Sequence, residues 1–226
     1  MLIINQLKNH VDNKFYHNLA YYVHFALINA IIEIMNKIVD LIIKKASWKK
    51  AAALSALFAA FFLFINRSGA GVAGLLTISG GANVLDFEFG YSQSKAYQML
   101  TAMGPEGRLF YLTKLLPLDF PFPFVYMLFF GGWIAFLLKR VARADVFRDW
   151  HKFLLLTPVF TMAFDWAENA GVIAMLNGYP DLPAWAVLLA SVAGMLKTIF
   201  LIANILVIAM LAIVIASNRM RYFWQQ

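Results

Sequence analysis

"FLLLTPVFTMAFDWAENAGVIAML", residues 153–176, decides how the chain is read. It is long enough to cross a membrane, for which about 20 mainly apolar residues suffice. Yet Asp165, Glu168 and Asn169 sit inside it. A charge at mid-bilayer costs at least ~2.5–3.5 kcal/mol on insertion scales, and such groups normally face a bundle interior. Residues at i, i+3 and i+4 of a helix share a face. Thr161, Asp165, Glu168, Asn169 and Val172 therefore line one side. Counting back from Leu176 at the helical rise, Asp165 lies about 17 Å and Glu168 about 12 Å from that end. The stretch reads as an inward-facing spanning helix whose carboxylates need a partner.

The surroundings support a membrane reading. Of 226 residues, 62% are hydrophobic and 14% charged. A soluble domain is nearer 45–50% apolar and about a quarter charged. Three further stretches qualify as spans: about 48–65, centred on "AAALSALFAAFFLFI"; about 120–138, "FPFPFVYMLFFGGWIAFLL"; and 184–217. The last would be near 50 Å long at about 1.5 Å per residue, so it must tilt or project. The expected fold is all-α: a four-helix transmembrane bundle, residues 48–226, preceded by an amphipathic helix in residues 1–47. A short helical outer segment fills residues 66–119.

Flanking charge orients the bundle. Residues 1–47, the flanks of the first span, the link between the second and third, and the C-terminus carry 14 Lys/Arg and 5 Asp/Glu. Residues 66–119 and 177–183 carry 4 Lys/Arg and 5 Asp/Glu. Excess Lys/Arg marks the cytoplasmic side, so a multi-pass protein with both termini cytoplasmic is expected. The net charge of +7 then reports topology and attraction to anionic lipid, and no nucleic-acid partner is expected.

Within residues 1–47, Asn29, Glu33, Asn36, Lys37, Asp40 and Lys44 form one polar stripe on an otherwise apolar helix. A helix lying on the cytoplasmic face fits that pattern; a fifth, partner-facing helix is the alternative. The first residues, "MLIINQLKNHVDNK", show no apolar core of a cleavable signal. In the outer segment, "SGAGVAGLLTISGGAN" reads as a re-entrant or surface-lying loop. Ser92 reads as an N-cap for a helix that stops at Gly104-Pro105, and a second short helix follows in "PEGRLFYLTKLL".

The cation for the buried carboxylates is expected from the last span. Lys197 lies about 20 Å from the same outer surface, close to the depth of Asp165. Asn204 shares its face, and Ala190 and Gly194 on that face permit close helix approach. Lys197 should therefore face Asp165 or Glu168. Arg108 and Tyr111, three apart, and Asp119 at the mouth of the second span would cover the cluster, with Arg108 bidentate to Asp119 or Glu168. Asp86, Glu88 and Tyr91 would join that cover.

Asp165, Glu168, Asn169 and Lys197 are the candidate catalytic residues. Arg108, Tyr111, Asp119, Thr161 and Asn204 are the candidate binding residues. The expected function is binding or converting a lipid-like molecule by acid–base chemistry, with membrane lipids as partners. The alternative is a non-catalytic subunit of a larger membrane complex, or a homo-oligomer, docked through the N-terminal helix. A carrier fits less well, because no internal repeat is visible. No cofactor is expected. Cysteine is absent, which excludes disulfides, thiolate chemistry and Cys-ligated metals. His10, His17, His24 and His151 all lie outside the four spans, so haem ligation across them is excluded. Oxygen-ligated metal is not expected either, because no second acidic motif stands on another spanning helix.

Overall fold

The structure, a computed structural model, describes residues 25, 29–30, 32–143 and 149–223. His10, His17, His24 and the first fourteen residues lie outside the described residues. The chain divides into two compact units, Met1–Lys44 and Lys45–Gln226. In the first, residues 32–44 are helical, and Ile32, Ile34, Met35, Ile38, Leu41 and Ile42 are exposed. Lys37 and Glu33 pair at 2.7 Å one turn apart.

The second unit is helical throughout its regular structure. Helix α1 (Trp48–Arg67) begins at Ser47, whose hydroxyl accepts from the Lys50 N–H. Helix α2 (Val72–Ile78) follows after a tight turn. It is not a surface loop: Leu75 is fully buried. A 3-10 turn (Leu85–Phe87) precedes α3 (Gln93–Ala102), which is capped by Ser92 accepting from the Lys95 N–H. Helix α4 (Gly104–Phe110) starts at Gly104, where φ is +67°, a value glycine adopts without strain. It runs through a π-helical turn (Tyr111–Leu115) into α5 (Leu116–Asp119). Helix α6 (Phe122–Arg143), a 3-10 stretch (Asp149–Leu156), α7 (Thr157–Gly178) and α8 (Ala184–Phe223) complete the chain.

Among the described residues, three stretches are long and apolar enough to cross a membrane: Trp48–Ile78, Gly104–Val141 and Ala184–Ser217. The stretch read first, residues 153–176, is not among them. Its opening residues belong to the 3-10 stretch, and Asp165, Glu168 and Asn169 lower its apolar content. Helix α7 instead buries one face, with Thr161, Asp165, Glu168, Asn169, Gly171, Val172 and Met175, while Val159, Phe160 and Trp166 are exposed on the other. It packs mainly on α8 and also on α6.

Two glycines set the α7–α8 distance. A Cβ on Gly171 would lie 2.8 Å from the Ala186 carbonyl oxygen and 2.9 Å from the Ala190 nitrogen. A Cβ on Gly194 would lie 2.6 Å from Glu168 Oε1. At Gly171 the α8 backbone itself approaches closely, and at Gly194 the Glu168 carboxylate fills the space a Cβ would take. Elsewhere, α1 and α8 both pack on α6 and hardly touch each other. The α1–α6 seam is aromatic. Phe58 stacks on Phe129 at 4.6 Å and on Phe122 at 5.8 Å, and the Trp133 indole donates to Ser55 Oγ at 2.9 Å.

Candidate functional site

Asp165 and Glu168 lie one helical turn apart on the buried face of α7, and α8 delivers Lys197 to them. The Lys197 ammonium stands 2.5 Å from Glu168 Oε2, 3.5 Å from Asp86 Oδ2 and 3.7 Å from Asp165 Oδ1. This pairing follows from matched depth on two helices that Gly171 and Gly194 hold close.

Each carboxylate has its own support. Tyr126, buried on α6, donates to Asp165 Oδ2 at 2.8 Å. Asn169 Nδ2 donates to Asp119 Oδ2 at 2.8 Å and lies 3.4 Å from Asp165 Oδ1. Tyr111, at the start of the π-helical turn, donates to Asp86 Oδ1 at 3.1 Å. Such turns insert one extra residue into a helix and commonly accompany functional sites. The result joins four carboxylates, Asp86, Asp119, Asp165 and Glu168, around Lys197. Among the described residues, Lys197 is the one ammonium within ion-pair distance of them. One oxygen from each of Asp86, Asp119 and Asp165 lies within 4.8 Å of the other two.

Above the cluster, Tyr91 is tied to α8 by its backbone N–H, which donates to Ser191 Oγ at 2.8 Å. Burial pushes the Tyr91 phenol above its ordinary pKa, and the charges of Glu168 and Asp86 add to the rise. Tyr91 is therefore a neutral O–H at physiological pH. Its hydroxyl has no hydrogen-bond partner among the described residues.

The cluster opens on a cavity of about 640 Å³. Asp86, Tyr111, Asp119, Tyr126, Asp165 and Lys197 form its polar end. The rest is mostly apolar: Phe58, Phe62 and Ile65 of α1, Phe122, Phe129 and Phe130 of α6, and Leu201, Ile205 and Ile208 of α8, with Asn66 and Thr198 the polar exceptions. From Lys197 to Ile208 the wall runs eleven residues along α8, about 16 Å.

Eight of the nine residues singled out from sequence separate into three groups. Asp165, Lys197, Tyr111 and Asp119 line the cavity. Glu168 and Asn169 stand behind that wall, 1% and 0% exposed, and hold Lys197, Asp119 and Asp165 in place. Thr161 and Asn204 lie deeper and do not line the cavity. Asn204 Nδ2 donates to Thr161 Oγ1 at 2.8 Å and Thr157 Oγ1 donates to Asn204 Oδ1 at 2.7 Å, which ties α7 to α8.

Arg108 departs from expectation. Its guanidinium donates to the Leu100 carbonyl at 2.8 Å and stacks on the Tyr179 ring at 3.8 Å, away from Asp119 and Glu168. There it keeps a π face and a carbonyl without paying the cost of burying a second cation. Asp86 and Tyr126 contribute more than their place in the sequence suggests. Asp86, expected in the cover over the cluster, pairs with Lys197 directly at 3.5 Å. Tyr126 was lost in a Phe-rich span, where its being the one hydroxyl was the available signal.

No protein-family model, curated protein or solved structure matches this chain.

Proposed function

We propose that this chain crosses a membrane four times, through α1, α6, α7 and α8, and binds an amphiphile whose polar head meets the carboxylate cluster. The cavity carries this reading. It joins a Phe-, Leu- and Ile-lined trough to one polar end containing Asp86, Asp119, Asp165 and Lys197. Ligand sites are commonly apolar with a few convergent polar groups, and this division matches a hydrocarbon tail and a polar head. Because α1 and α8 both rest on α6 and hardly touch, the trough lies between them, where a membrane lipid can slide in sideways.

Asp165 is the proton donor or acceptor of this reading. It lines the cavity, and Tyr126, Lys197 and Asn169 fix its position from three other points. Glu168 serves as the counter-ion of Lys197 rather than as an acid or base, because it stands behind the wall. The four-crossing topology places the Lys/Arg-rich ends of the helices, and both termini, on the cytoplasmic side. Helix α7 is tolerated as a crossing because its polar residues face protein instead of lipid.

The test is native mass spectrometry of protein purified in mild detergent. The wild-type chain should retain a bound amphiphile. Leu201→Trp, which fills the trough while leaving the carboxylates untouched, should lose most of it with an unchanged melting temperature. Asp165→Asn should retain the amphiphile but accumulate the unconverted species. Equal retention by wild type and Leu201→Trp would sink the binding site. Identical bound species in wild type and Asp165→Asn would sink the acid–base role.

A further inference from the structure

The side-chain donors that line the cavity are all directed at the protein itself. Tyr111 donates to Asp86 Oδ1 at 3.1 Å and Tyr126 to Asp165 Oδ2 at 2.8 Å. An ammonium has three donor protons, and that of Lys197 stands among Glu168, Asp86 and Asp165 at 2.5, 3.5 and 3.7 Å. The other polar side chains of the wall, Asn66 and Thr198, turn back on their own helices. Asn66 Nδ2 donates to the Phe62 carbonyl at 2.8 Å and Thr198 Oγ1 to the Gly194 carbonyl at 2.9 Å.

Acceptors, by contrast, are left over. An ionised carboxylate has about four lone-pair positions and no donor. Asp119 receives Asn169 Nδ2 on its Oδ2 at 2.8 Å. Its Oδ1 meets no side-chain donor among the described residues, and Asp119 lines the cavity. A head group arriving here finds open acceptors and no open side-chain donor. An anionic head would add acceptors and like charge to that end, which opposes its binding. An ammonium head would set a second cation beside Lys197. It would also shed its water between α1 and α8, and desolvating an ion costs far more than desolvating a hydroxyl. A hydroxyl supplies the missing donor and carries no charge.

The apolar wall sets the length of the tail. From Lys197 to Ile208 it runs about 16 Å along α8. An extended chain advances about 3.3–3.6 Å over three bonds, so about thirteen chain atoms span it.

We propose that the amphiphile is a long-chain alcohol whose hydroxyl donates to Asp119 at the polar end, and that Asp119 selects it against phosphorylated and amine-headed lipids. This rests on the amphiphile reading above and names the class of molecule that reading takes. Asp119 is the selecting residue because Asn169 fixes one of its oxygens and leaves the other for the ligand.

Three probes of one chain length test the choice: tetradecanol, tetradecyl phosphate and tetradecylamine. Each is titrated as a mole fraction of the micelle against the full chain in mild detergent, and occupancy is read by native mass spectrometry. Tetradecanol should fill one site per chain at a mole fraction at least about tenfold below that needed by either charged probe, the scale of one hydrogen bond to a charged group. Either charged probe binding as well as tetradecanol overturns the proposal, and this comparison needs no variant. Asp119→Asn keeps the side chain's shape; with one oxygen still accepting from Asn169, it puts an amide donor where Oδ1 stood. It should weaken tetradecanol about tenfold and strengthen tetradecyl phosphate. A merely structural role would weaken all three probes alike, and an unchanged order of preference in Asp119→Asn removes the residue's selecting role. If no probe binds while the wild-type chain still retains an amphiphile that Leu201→Trp loses, the alcohol assignment falls and the amphiphile reading stands. If that retention is absent as well, both fall.

Discussion

Replacing Lys197 with Met leaves Glu168, 1% exposed, without its closest partner. Breaking a buried pair by removing one member costs about 3–5 kcal/mol, whereas replacing both is often neutral. Lys197→Met should therefore destabilise the chain by about that amount, and Lys197→Met with Glu168→Gln should recover most of it. Equilibrium unfolding in mixed detergent reads both; equal stability of the two variants would show that the pair has no structural weight. This pairing was legible in sequence because depth along a helix is a linear count. The partners Asp86 and Tyr126 were not. Asp86 reaches Lys197 across 111 positions of chain, and Tyr126 reaches Asp165 across 39. No local spacing encodes such contacts. Arg108 was misjudged because sequence cannot weigh one partner against another. Tyr179 and the Leu100 carbonyl satisfy it outside the cluster.

At the scale of elements, the α7–α8 seam depends on absent side chains. Alanine at Gly194 would press its Cβ into Glu168 Oε1, and alanine at Gly171 would press into the backbone of α8. Overpacking a well-filled interior costs about 1–3 kcal/mol. The Gly171 substitution should be the worse of the two, because a carbonyl fixed in a helix yields less than the end of a glutamate. Thermal unfolding of Gly171→Ala and Gly194→Ala checks the order, and a reversed order contradicts this account. Helix existence was readable from apolar runs and caps: Ser92, Gly104 and the apolar centre of α1 behave as their residue types suggest. The boundaries of the third stretch were not, since residues 149–156 wind as a 3-10 helix that periodicity cannot distinguish from α. Helix α2 was missed as a core element because its glycines suggested a loop. A Cβ on Gly74 would meet the Gly69 carbonyl oxygen at 1.9 Å and the Phe110 ring at 2.8 Å, so that glycine marks tight packing.

For the whole molecule, the absence of cysteine gives a clean background for mapping sides. Ser94 and Lys49 are exposed and lie on opposite sides in the four-crossing topology. In intact cells, a membrane-impermeant maleimide should label Ser94→Cys directly and Lys49→Cys only after permeabilisation. Labelling of both before permeabilisation, or the reverse order, removes the proposed orientation. Charge distribution could suggest this topology because Lys and Arg counts are a property of segments. The gap between α1 and α8 could not be foreseen, because it depends on which helices fail to meet. That gap has a consequence for how such a protein would be measured. A molecule that arrives sideways from the bilayer is never at a concentration in water. Its supply is a mole fraction in a two-dimensional solvent. Adding empty lipid at fixed total ligand would empty the site, and adding buffer would not.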